Sequence, residues 1–231
     1  MKPFRAARRF PLPSGEKSDR MEKRTVAGMQ ELYYTDARAL APLWEKGLAL
    51  LPADRRAAAL RLRRPIDRLG SMAAGLLLRK YLGVTGPLAR AESGKPEISG
   101  GPEFSLSHGG TLAVLAVSER PVGVDAEPLD RTVDAAFYAR ILTDDEFVWL
   151  RASPERRFAT LWTRKESAMK VCGQGLSLHP GAFSAAGESV TLEGKTYTLR
   201  SMVLDGHAVS TAAADPAPFR LHSVMAKTLT E

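Results

Sequence analysis

The chain has 231 residues, 44% hydrophobic and 26% charged, enough for one large domain or two small ones with a sizeable core. That composition excludes a collagen-like or wholly disordered chain, and the longest apolar runs fall far short of the ~20 residues that span a bilayer. The net charge is +7, but eight basic and three acidic side chains fall within residues 1–24, so five of the seven charges sit there and the body is only mildly basic.

Residues 1–28 read as a basic, disordered and dispensable tail, with Met21 and Met29 as alternative starts and no apolar segment of a secretory signal. Gln30–Thr35 reads as a short edge strand, and Pro42–Leu50 and Ala53–Arg63 as helices. Pro65 suits a first helical turn, and Ile66–Leu82 is a longer helix stopped by Gly83. Its apolar stripe is Leu69, Met72, Ala73, Leu76 and Leu77. A glycine- and proline-rich loop around residues 93–102 follows. Phe104–Ser107, Thr111–Val117 and Val122–Glu127 then read as an antiparallel meander. Asp134–Ile141 is helical, and Thr143 to Glu146 has the Thr-x-x-Glu form of a capping box. Ser153-Pro154 opens a helix to about Cys172, stopped by Gly173. Phe183–Val224 reads as a second meander with turns at Glu193-Gly194 and Asp205-Gly206. Helices, hairpin strands, helices, hairpin strands predict an α+β fold of two similar subdomains, 29–118 and 119–231.

Three pieces carry chemistry. On a strand Val122, Val124 and Ala126 share one face, while Asp125 and Glu127 project together from the other, roughly 6.5–7 Å apart at Cα. Two carboxylates that close repel unless something positive joins them, and Mg²⁺ suits such oxygen ligands; a solvated strand end is the alternative. In the segment Trp162-Thr163-Arg164-Lys165-Glu166-Ser167-Ala168-Met169-Lys170, Glu166 and Lys170 lie one helical turn apart. They form either an ordinary ion pair or part of an anion and metal site. Lys165 borders the apolar stripe, either snorkelling or aimed at an anion. Lys95, in Gly94-Lys95-Pro96, suits a phosphate, and Ser107 and His108 at a strand end can donate hydrogen bonds to another. Cys172, the sole cysteine, can make no internal disulfide and no zinc cage, and a reducing, cytoplasmic compartment is expected.

In order, Gly-Lys-Pro, Phe-x-Leu-Ser-His, Gly-Val-Asp-x-Glu and Trp-x-x-Lys-Glu-Ser-x-x-Lys-x-x-Gly-x-Gly-Leu resemble the 4'-phosphopantetheinyl transferase superfamily, in its two-subdomain surfactin-activating type. The resemblance covers about residues 50–185. It implies two α+β subdomains related by pseudo-twofold symmetry. It also implies transfer of phosphopantetheine from coenzyme A to a serine of an acidic acyl or peptidyl carrier protein, of the fatty-acid, polyketide or nonribosomal-peptide kind. The by-product is adenosine 3',5'-bisphosphate. By position it makes Asp125, Glu127 and Glu166 the Mg²⁺ carboxylates, and Lys165 and Lys170 the pyrophosphate and leaving-group lysines. Arg68, Gly94, Lys95, Pro96, Ser107 and His108 become coenzyme A contacts, with Arg55 and Arg56 matched more loosely. Glu146 matches a glutamate near the metal, its capping-box role standing beside that. Glu166 is the first choice for the base and Glu127 the second. Phe137, Tyr138, Phe147 and Trp149 are either a seat for the carrier helix or core. With two internal halves a monomer suffices, and neither nucleic acid nor a membrane is required.

Rival readings fare worse on motifs. The chain has no Gly-x-Ser-x-Gly elbow and no phosphate loop of the Gly-x-x-x-x-Gly-Lys-Ser/Thr form. From another class, a non-catalytic nucleic-acid binder would use the basic tail and the arginine-rich helix at 55–64.

Overall fold

The computed structural model describes residues 30–231 apart from 93, 132–133, 153–157, 174–176 and 218. The basic tail, the Ser153-Pro154 helix start and Gly175 therefore lie outside the described residues.

The first half begins with β1 (Gln30–Asp36). A 3-10 segment over Ala37–Leu43 carries Pro42, so the expected helix opens later, as α1 (Trp44–Ala49). Helix α2 (Ala53–Arg61) precedes α3 (Pro65–Leu82), which starts on its proline and stops at Gly83 with φ 68°. Met72, Ala73, Leu76 and Leu77 of α3 are fully buried, with Leu69 packed partly against them. The two-residue strands β2 (Ala89–Arg90) and β3 (Pro96–Glu97) pair across the Gly94-Lys95 turn. Strands β4 (Glu103–Gly109) and β5 (Leu112–Ser118) form an antiparallel hairpin, and β5 pairs antiparallel with β1.

The second half repeats this plan. Strand β6 (Val122–Pro128) is followed by α4 (Ala135–Ile141), α5 (Asp144–Arg151) and α6 (Phe158–Val171). Next come β7 (Ser189–Leu192), β8 (Lys195–Leu204) and β9 (His207–Ala213). Both predicted turns, Glu193-Gly194 and Asp205-Gly206, have positive φ at both residues, as two-residue hairpins of the right twist require. The chain ends with β10 (Phe219–Ser223) and α7 (Ala226–Leu229).

Two four-stranded sheets result, in the orders β10-β1-β5-β4 and β6-β9-β8-β7. In each, a strand, a long helix and a hairpin follow one another, and the leading strand pairs antiparallel with the second hairpin strand: β1 with β5, β6 with β9. This is an α+β fold with one topology used twice. Two expectations need correcting. Strand β6 does not continue the β4–β5 meander but opens the second sheet. Strand β1 is not an edge, because β10 returns from the C-terminus to pair with it in parallel, and α7 then packs on α3 and the 3-10 segment of the first half.

The halves meet along β6, which lies against β4 and β5 on one side and α6 on the other. Leu32, Val114 and Ala116 of the first sheet pack there on Val122, Val124 and Val209. Two glycines permit the approach. A Cβ on Gly109 would sit 2.1 Å from the Ala126 carbonyl oxygen, and one on Gly123 2.0 Å from that of Ser167. Both obstacles are backbone, so neither can move aside.

Candidate active site

The edge strands β4 and β6 are joined by serine side chains rather than by a ladder. Ser105 Oγ accepts from the Val124 N–H at 3.0 Å, and Ser107 Oγ donates to Asp125 Oδ1 at 2.6 Å. The strand alternation holds: Val122, Val124 and Ala126 are buried in the core, while Asp125 and Glu127 face a cleft. Helix α6, seated on Gly123, brings Glu166 and Lys170 to the same cleft. Lys170 Nζ donates to Asp125 Oδ1 at 2.7 Å and to the Val124 carbonyl at 3.1 Å. Asp125 Oδ2 is buried and has no hydrogen-bond partner. Glu127 is paired with Arg131.

These groups, with Leu106, Ser107, His108 and Trp162, line a cavity of about 440 Å³. A second cavity of about 360 Å³ shares Leu106 and Lys170 with it and is otherwise lined by Arg55, Gly94, Lys95, Pro96, Phe104, Ser105 and Gly173. The two make one cleft with carboxylates at one end and cations over an apolar floor at the other.

Crowding sets the charges. Burial, and then Asp125, raise the Glu166 carboxyl above the usual carboxylate range, with Lys170 opposing. Burial likewise raises Glu127, against the pull of Arg131. His108 is lowered by burial and by Lys170, with Asp67 and Asp125 opposing, so its imidazole is neutral at pH 7. A Cβ on Gly70 would meet the His108 ring at 3.1 Å, which sets the first turns of α3 against this strand end.

The structure brings Asp125, Glu127, Glu166, Lys170, Ser107 and His108 together, and Gly94, Lys95 and Pro96 onto the adjoining cavity. Lys95 is paired there with Glu103 at 3.0 Å. Lys165 is a correction. Its side chain is wholly inaccessible, and its ammonium lies 2.7 Å from Glu146 Oε1 and donates to the Pro180 and Phe183 carbonyls. It is a core cation and not a cleft lysine, because α6 is buried on most of its circumference. Glu146 is consumed in the same place. Its Oε2 accepts from the Thr143 N–H, closing the expected capping box, and its Oε1 accepts from the Ala185 N–H. Arg68 is not among the residues lining the cleft and donates to the Leu62 carbonyl at 2.7 Å. Arg55 does line it, whereas Arg56 donates to the carbonyls of Ala49 and Leu51. Phe137, Tyr138, Phe147 and Trp149 are packed partly against the second core.

The chemistry of this donor set, three carboxylates on one cleft, is that of a divalent-cation ligand set. Among the described residues no group of three or more acidic, His or Cys side chains stands in an arrangement that could hold a metal ion. Yet Asp125 presents a buried oxygen without a partner, beside two further carboxylates whose charge is only partly matched. Hard oxygen ligands of this kind suit Mg²⁺. Sequence reasoning missed Arg131 and the close-packing roles of Gly109 and Gly123. Only the close approach of three elements reveals the glycines, and nothing periodic marks Arg131.

Comparison with known proteins bears on the same segment. Residues 121–208, from the start of β6 into β9, match the family model of the 4'-phosphopantetheinyl transferase superfamily. The resemblance read from the motifs holds. The chain is 32% identical over 145 residues to the 4'-phosphopantetheinyl transferase psf-1 of Bacillus pumilus, covering 57% of this chain and 62% of that one. It is 30% identical over 128 residues to the transferase gsp of Aneurinibacillus migulanus (51% and 54%), and 33% over 98 residues to the transferase Sfp of Bacillus subtilis strain 168 (40% and 44%). The chain thus spans less than two thirds of the length of each of these relatives. Among the described residues no helix is long and apolar enough to cross a membrane.

Proposed function

We propose that the chain is a Mg²⁺-dependent 4'-phosphopantetheinyl transferase that uses coenzyme A to convert an apo carrier protein to its holo form. The observation that carries this reading is Asp125: one oxygen bridges Ser107 and Lys170 across the junction of the halves, and the other is buried and unpartnered. Nucleotide and phosphates would lie along the cleft from Arg55 and Lys95 to Lys170. Asp125, Glu127 and Glu166 would hold the ion, which supplies charge neutralisation at the diphosphate.

The serine oxygen of the carrier bonds to the phosphorus that bears pantetheine. The bond from that phosphorus to the bridging oxygen breaks, and adenosine 3',5'-bisphosphate leaves with the electron pair. Glu166, which faces the cleft beside Asp125 and whose carboxyl is raised above its ordinary value by burial, takes the serine proton. Lys170 faces the charge that grows on the departing oxygen. Ser107, which donates to Asp125, and neutral His108 shape the carboxylate end of the cleft. Such transfer leaves the protein little covalent work, so positioning and charge dominate.

Incubating the protein with apo carriers of several classes, coenzyme A and Mg²⁺, and weighing the carriers by mass spectrometry, tests the reading. One carrier should gain the phosphopantetheine mass, and the gain should vanish with Asp125→Ala. No gain on any carrier would contradict the proposal.

A further inference from the structure

Arg131 follows β6 directly, at the end of a turn in which its N–H donates to the Pro128 carbonyl at 3.1 Å. Its guanidinium is ion-paired with Glu127 and lies 5.9 Å from the centre of the Trp162 ring. It thus rests on the indole face while its donors occupy a carboxylate that faces the cleft. The side chain is one third exposed, on the wall of the 440 Å³ cavity.

The two cations of the cleft stand differently toward the carboxylates. Lys170 takes one oxygen of Asp125 and leaves the other without a partner, so Asp125 can accept a further cation without releasing Lys170. Glu127 is held by Arg131, and a second cation at that carboxylate competes with the guanidinium for the same electron pairs. Three carboxylates against two cations leave one negative charge, enough to attract a divalent ion and too little to hold it tightly against a resident competitor.

The geometry points to Arg131 as a resident counter-cation: it keeps Glu127 neutralised before ligand arrives, yields that carboxylate to the metal, and remains on Trp162 to meet the diphosphate. This rests on the metal reading above and names a positioning residue within it. The metal site is thereby weak until phosphate arrives, because diphosphate offers the displaced guanidinium a replacement for Glu127. Binding of metal and of coenzyme A becomes positively coupled through one side chain.

Calorimetric titration with Mn²⁺ in the absence of coenzyme A tests this on the full chain. Arg131→Met keeps a stem against Trp162 and removes the competitor, so Mn²⁺ should bind about tenfold more tightly. Arg131→Lys keeps the charge and should stay within about threefold of the native chain. With coenzyme A present, the coupling between the two ligands should fall at least fivefold in Arg131→Met. Equal or weaker Mn²⁺ binding by Arg131→Met, with native thermal unfolding, overturns the proposal. Asp125→Asn reports on the metal reading separately. If it binds Mn²⁺ as the native chain does, that reading fails; if it loses Mn²⁺ while Arg131→Met shows no gain, Arg131 alone is excluded.

Discussion

Lys165 and Glu146 face each other at 2.7 Å, and solvent reaches neither side chain. The pair ties α6 to the first turn of α5 and, through the Pro180, Phe183 and Ala185 backbone, to the segment that leads into the second sheet. Glu166 and Lys170 thus inherit their positions from a neighbour that never sees substrate.

Removing one partner of such a pair leaves a buried charge alone, at a cost of about 3–5 kcal/mol. Lys165→Met should therefore lower the urea midpoint sharply, and adding Glu146→Gln should recover part of the loss. The affinity for coenzyme A of whatever fraction remains folded should stay near native. A Lys165→Met chain that unfolds like the native one but binds coenzyme A poorly would mean that this lysine does reach the phosphates.

Gly123 sets how closely α6 lies on β6. Overpacking costs ~1–3 kcal/mol where side chains can give way. Here a methyl would meet the Ser167 carbonyl oxygen at 2.0 Å and the Val171 nitrogen at 2.7 Å. Gly123→Ala should therefore cost about 3 kcal/mol in chemical denaturation and push Glu166 and Lys170 away from Asp125. Native stability in this variant would refute the tight seat.

The raised pKa of Glu166 has a definite sign. Below its unfolded-state pKa the carboxyl is protonated in both states and contributes nothing. Between that value and the higher folded-state pKa the unfolded chain ionises first, so this group destabilises the fold as pH rises. Glu166→Gln should accordingly unfold at a higher temperature than the native chain at pH 7 without metal, the difference disappearing by about pH 4. The same variant should be inactive in transfer. Metal binding to the native chain should weaken as pH falls through the raised range, since the ion needs the ionised carboxylate. A Glu166→Gln chain no more stable than native at pH 7 would show that the carboxylate is not strained by its surroundings.

Much of this was legible from local pattern. Strand alternation put Asp125 and Glu127 on one face, helical spacing put Glu166 and Lys170 on one side of α6, although Lys170 bonds to Asp125 rather than to Glu166, and proline and glycine marked the ends of α3. What failed was non-local. The pairing of β10 with β1 joins residues almost two hundred positions apart, and no periodicity announces it. Lys165 resisted for a different reason. A helix wheel sorts residues by one apolar face, whereas α6 is packed against β6 and β9 and keeps Lys165, Ser167 and Met169 buried alike. The wheel cannot then tell a lysine that meets Glu146 from one that meets phosphate.

The central claim is that the unpartnered oxygen of Asp125 and its neighbouring carboxylates couple a divalent ion to a diphosphate. Calorimetric binding of coenzyme A with Mg²⁺ and with chelator, in the native chain and in Asp125→Asn, tests it most directly. The account predicts at least tenfold tighter binding with Mg²⁺ in the native chain and no such gain in the variant. Equal affinity with and without the ion, or an undiminished gain in Asp125→Asn, would contradict it.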